Sequence, residues 1–133
     1  MNNKLRLDIE SVFKNGKNYY KKRIQSNYPD PSLILRRKSP VLIFGAARMG
    51  RVFLSNLKRK EIPVLGFIDN NKEIQGSKID GVKVISFKEA QSKYRLHPVL
   101  IASLLYETEI YNLLRKANFK NVYPLIYLNF INP

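Results

Sequence analysis

The residues best suited to chemistry lie in "VLIFGAARMGRVF", positions 41–53, and in one acid further on. Gly45, Ala47 and Gly50 spell G-x-A-x-x-G, with Ala46, Arg48 and Met49 between them and Arg51 next. Small residues at this spacing let a backbone turn approach a phosphate closely. The free N–H groups of the following helix then point at the phosphate, and the helix dipole favours its charge. Gly45 permits a tight turn, and Gly50 lets the helix pack close to the sheet. Ala47 stands where a dinucleotide fingerprint prefers glycine; its methyl narrows the gap without closing it. Asp69 follows Gly50 at about the 20-residue spacing expected of an acid that bonds a ribose hydroxyl pair. Its carboxylate would repel a 2′-phosphate, which favours NAD-like ligands over NADP. Arg48 and Arg51 work against the helix dipole, a placement that a bound phosphate explains and a solvated face explains equally. The bland alternative is a tight strand–helix turn followed by a loop aspartate.

Other reactive types are sparse. A single histidine and no cysteine exclude disulfides, thiolate sites and His-cluster metal sites. His97 precedes Pro98 with no evident carboxylate partner and reads as a loop residue. Glu107 and Glu109 open a helix, where acids suit the dipole; two residues apart, they do not share a face and make no catalytic pair. None of the eight tyrosines has a lysine four residues later, so a Tyr–Lys pair for proton transfer is missing. Tyr19, Tyr20, Tyr106, Tyr111, Tyr123 and Tyr127 interleave with lysines, but no nucleic-acid signature accompanies them. Packing is the better reading of these rings, which argues against nucleic acid as a partner.

These groups need a frame to hold them. "PVLIFG" at 40–45, "IPVLGFID" at 62–69 and "HPVLIAS" at 97–103 are continuous apolar runs, as in strands buried on both faces. Short strands are also expected at 82–85 and in "NVYPL". Between them, "ARMGRVFLSNLKRK" has helical spacing, with Met49, Val52, Phe53 and Leu57 on one side. "FKEAQSKY" and "ETEIYNLLRKANF" are helical too, the latter through Ile110, Leu113, Leu114 and Ala117. Alternating elements of this kind imply an α/β fold: a parallel sheet with helices on both faces. Right-handed crossovers then favour a Rossmann-like order, 3-2-1-4-5, with the strand at 41–45 in the centre.

The chain has 133 residues and a formal net charge of +14. Such a field attracts polyanions. Residues 1–38 carry ten basic and three acidic residues and read as a basic helical arm with a connector; residues 39–133 form the main domain. The arm suits contact with an acidic membrane surface, or docking on the domain or a second copy. No apolar run reaches the ~18 residues needed to span a bilayer, and a signal-peptide core is lacking; a cytoplasmic location is expected. The end, "YPLIYLNFINP", stays apolar and aromatic. Either it packs under a neighbouring chain, or a further domain with the catalytic site follows.

"VLIFGAARMGR", then "PVLGFIDNN", then "IQGSKIDGVKVIS" resemble the nucleotide-binding Rossmann module of bacterial surface-polysaccharide enzymes. The likeness extends to CapD-like nucleotide-sugar dehydratases, to initiating sugar-phosphate transferases and to the segment preceding FkbM-type methyltransferase domains. "YETEIYNLLRKANFKNVYPLIYLNFINP" looks most like the last group. The resemblance covers about residues 40–130. It implies that Gly45, Ala47, Gly50 and Asp69, with Asn70 beside it, hold NAD or the nucleotide of a nucleotide-sugar. It places Ser103, at the end of a strand over 99–103, against the same crevice.

Overall fold

A computed structural model describes residues 32–103 and 105–124. The helical stretches read within 1–31 and the apolar tail from 125 onward lie outside the described residues. Five strands are short runs of β-branched and aromatic residues: β1 (Val41–Phe44), β2 (Val64–Ile68), β4 (Val82–Ile85), β5 (Val99–Ile101) and β6 (Val122–Pro124). They pair in parallel in the order β4-β2-β1-β5-β6. That is the expected order, with β1 in the middle and wholly buried. It is the order that the general preference for right-handed crossovers favours.

A sixth strand, β3 (Lys78–Ile79), runs antiparallel to β4 at the sheet edge and departs from the expected five. Its hairpin turns through Asp80 and Gly81, both at positive φ (49° and 84°). Such a two-residue Asp-Gly turn matches the twist of the strands it joins. The loop before it is fastened down: Gly76 N–H donates to Val84 O and Val84 N–H to Ser77 O, each at 2.8 Å.

Among the described residues four helices cover the sheet: α1 (Ser32–Arg37), α2 (Arg48–Arg59), α3 (Phe87–Tyr94) and α4 (Glu107–Lys116). On one face Ile34 of α1 and Phe53, Leu54 and Leu57 of α2 pack on Ile43, Phe67 and Leu100. On the other, Ala90 of α3 and Leu114 of α4, with Ala117 and Phe119, pack on Leu42, Ile68 and Ile101. α3 begins where Ser86 caps it, its side chain accepting from Glu89 N–H at 3.1 Å; this is the usual N-cap arrangement.

The buried stripe of α2 differs from the sequence expectation. Gly50, Phe53, Leu54 and Leu57 face the sheet, whereas Met49 and Val52 are 42% and 50% exposed. The close contact of Gly50 with the turn sets the helix rotation, which carries Met49 and Val52 outward. Leu113 is likewise exposed on α4, where Leu114 is buried.

Candidate nucleotide-binding site

The carboxyl end of β1 is the centre of the sheet's carboxyl edge. There the chain turns at Gly45 with φ +110°, a region that L side chains rarely enter. Gly45 N–H donates to Ile68 O at 2.8 Å, which ties the turn to the end of β2. Ala46 is buried and Ala47 exposed. Ala47 is extended (φ −81°, ψ −166°) and gives α2 no side-chain cap. The first bond of α2 runs from Arg51 N–H to Ala47 O, at 3.1 Å. The N–H groups of Arg48, Met49 and Gly50 thus have no acceptor within the helix. A β-carbon on Gly50 would lie 2.0 Å from Gly45 O and 3.3 Å from Phe67 Cε1. No side chain fits there, so glycine is what lets α2 sit against the turn.

Asp69, just past β2, reaches across to this turn. Its Oδ2 accepts from Ala46 N–H at 2.9 Å, and its Oδ1 from Asn71 N–H at 2.9 Å. The first bond spans 23 residues and joins the ends of β1 and β2. The second closes a local Asx turn. Each oxygen keeps a further lone pair for another donor, and the carboxylate remains partly exposed. The backbone of Asp69 is held as well: its N–H donates to Ile85 O at 3.1 Å, and its carbonyl accepts from Gln75 Nε2 at 2.8 Å.

Of the residues singled out from the sequence, Gly45, Ala46, Ala47, Gly50 and Asp69 come together at one point of the sheet edge. Asn70 is exposed directly after Asp69. Arg48 and Arg51 lie exposed on the first turn of α2, with no ion pair to another described residue. Ser103 does not end a strand. β5 stops at Ile101, and the Ser103 hydroxyl instead accepts from Tyr106 N–H at 3.2 Å, shaping the approach to α4. Glu107 is buried while Glu109 is exposed, as their two-residue spacing requires. His97 lies in the loop before β5, its ring edge-on to Tyr94 with centroids 5.8 Å apart. Among the tyrosines, Tyr123 is buried in the core, whereas Tyr106 is 58% exposed.

Three contributors escaped the sequence reading. Ala102 donates its N–H to Phe44 O at 2.9 Å, and its carbonyl lies 3.5 Å from where a β-carbon on Gly45 would be. Gln75 and Asn71 fix the loop that carries Asp69. Only the "NN" after Asp69 offered a cue, as a turn-forming pair. Among the described residues no group of His, Asp and Glu side chains could hold a metal ion, and no helix is long and apolar enough to cross a membrane.

The same architecture occurs in solved structures. The UDP-D-quinovosamine 4-dehydrogenase of Vibrio fischeri is 25% identical, with a TM-score of 0.50 over 63% of this chain and 75% of that one. RSP, a Rex-family repressor, is 16% identical, with a TM-score of 0.56 over 80% of this chain and 51% of that one. Its complex with β-NADH is 12% identical, with a TM-score of 0.52 over 90% of this chain and 73% of that one. The RSP likenesses establish a shared fold. No curated protein sequence matches this one. A family model does: the one described as C2185-like, N-terminal, over residues 37–122.

Proposed function

The chain belongs to that C2185-like N-terminal family, and we propose that it is a Rossmann-type nucleotide-binding module. The observation that carries this reading is the joining of Asp69 to the Gly45–Ala46 turn through the 2.9 Å bond to Ala46 N–H. It sets a carboxylate with spare acceptor capacity beside an uncapped helix start. A phosphate would take the N–H groups of Arg48, Met49 and Gly50, with Arg48 and Arg51 adding charge. A ribose would donate its hydroxyls to Asp69. Ser103, whose hydroxyl accepts from Tyr106 N–H, keeps its O–H to donate to a ligand. The ligand in this reading is NAD or a nucleotide-sugar, and a 2′-phosphate is disfavoured beside Asp69. A UDP-sugar dehydrogenase among the neighbours supports a place in nucleotide-sugar or surface-polysaccharide metabolism. The module would then serve a larger enzyme, of the CapD-like or FkbM-type kind, with residues 39–133 as the binding domain and catalysis elsewhere.

A second reading is an NAD-sensing regulator whose basic arm meets DNA. It is favoured by the Rex-family repressor and its NADH complex among the neighbours. Calorimetric titration of the full chain with NAD, NADH and a UDP-sugar tests the proposal. Saturable heat with one of them, abolished in Asp69→Ala, supports a nucleotide module. Salt-sensitive binding to duplex DNA that NADH alters would favour the regulator. No heat with any nucleotide would remove both.

A further inference from the structure

All five parallel strands begin at the same edge of the sheet, and the helices among the described residues end there. That amino edge, opposite the Gly45 turn, carries charge of nearly one sign. α1 closes on Arg36 and Arg37, α2 on Lys58 and Arg59, and α4 on Arg115 and Lys116. The adjoining residues before the strands add Lys38, Lys60, Arg95 and Lys120. Among the described residues two acids share the edge: Glu61, paired with Lys38 at 3.4 Å, and Asp80 in the β3–β4 turn. The other described acids, including Asp69, Glu107 and Glu109, stand toward the carboxyl ends of the strands. Helix dipoles favour cations at helix C-terminal ends, but the outcome among the described residues is a face with a large excess of positive charge.

Two further features share this edge. Leu96, between Arg95 and His97, is 71% exposed, the most exposed large apolar side chain among the described residues. It also helps line a cavity of about 390 Å³ between α1 and the loop before β5. Arg37, Ser39, His97 and Asn121 line it with hydrogen-bond donors, and no acid does. Among the described residues the rings at this edge are taken up in packing: Tyr123, which lines the cavity, is buried, and Tyr94 packs on His97. A single-stranded nucleic acid would use exposed rings for stacking. A basic face with a protruding leucine suits an anionic lipid surface instead, where the cations stay at the headgroups and the apolar tip enters.

We propose that the amino edge of the sheet docks on an anionic lipid bilayer, with Leu96 entering the interface and the Arg37–His97–Asn121 cavity seating a headgroup phosphate. The carboxyl edge, with the Gly45 turn, then faces away from the lipid. This inference stands apart from the nucleotide reading.

The test is cosedimentation of the full chain with vesicles of phosphatidylcholine alone, or mixed equally with phosphatidylglycerol. The chain should bind only the mixed vesicles and be released at ~0.5 M salt, where charges are screened within a few ångström. Arg95→Glu combined with Lys120→Glu leaves residues 1–38 intact and should weaken binding about tenfold or more. Lys88→Glu, an exposed change at the start of α3, should have no effect, and unchanged melting curves would show that the variants fold. The native chain has no tryptophan, so Leu96→Trp provides a single reporter. Its emission should shift to the blue with mixed vesicles. Undiminished binding by the double variant, an unshifted Leu96→Trp spectrum, or binding to duplex DNA in place of vesicles would overturn the proposal.

Discussion

Gly50 is the residue on which the turn depends most. Alanine in a helix is ordinarily worth up to ~1 kcal/mol over glycine. Here the added carbon would meet Gly45 O at 2.0 Å, and backbone cannot yield as a side-chain tip can. Overpacking therefore wins, and Gly50→Ala should cost about 1–3 kcal/mol net, read as a lower urea midpoint; an unchanged or raised midpoint would contradict the close approach. Asp69→Ala removes the acceptor for Ala46 N–H and Asn71 N–H together. Hydrogen bonds to an ionised acceptor predict a loss of roughly 2 kcal/mol, while exposed Asn70→Ala should stay within ~0.5 kcal/mol. Equal losses at 69 and 70 in chemical denaturation would refute the bridge. The sequence made Gly45, Gly50 and Asp69 legible through residue type and spacing alone. It did not show that Asp69 bonds the turn itself, because that contact joins residues brought together only by the pairing of β1 with β2. Nor did it end β5 correctly: an apolar run followed by Ala-Ser does not reveal that the strand stops at Ile101 and that Ser103 shapes the next turn.

The elements were legible in proportion to how much of their pattern is local. α3 forms over Phe87–Tyr94 and β4 over Val82–Ile85, as their composition predicts. β3 was not foreseen because two residues are too few to show alternation; the Asp80-Gly81 pair was its only signal. The orientation of α2 was misread because glycine carries no hydrophobic weight, although Gly50 leaves no room for a β-carbon between α2 and the Gly45 turn. Phe53→Ala, which empties a buried site, should cost about 3–5 kcal/mol, whereas Val52→Ala on the exposed side should cost no more than ~0.5 kcal/mol. Comparable losses from the two variants in urea denaturation would restore the rotation expected from the sequence.

At the scale of the whole molecule, the described residues divide their charge between the two edges of one sheet. Parallel strands and helices that all end at the same side make that division a consequence of topology. The order of the five parallel strands was legible for the same reason, since buried strands alternating with helices and right-handed crossovers leave few arrangements. With a net charge of +14 and the basic residues crowded at the amino edge, self-repulsion should weaken the fold at low ionic strength. The melting temperature should therefore rise as salt is raised to ~0.15 M; a fall would mean that ion pairs outweigh this repulsion. The account rests finally on the backbone amides at the opposite edge. The most direct measurement is an amide-resolved NMR titration of the full chain with NAD and with a UDP-sugar. The account predicts saturable shifts centred on the N–H signals of Arg48, Met49 and Gly50 and on Asp69, with the amino edge unmoved. Saturation with those signals stationary, or no shift with either ligand, would contradict it.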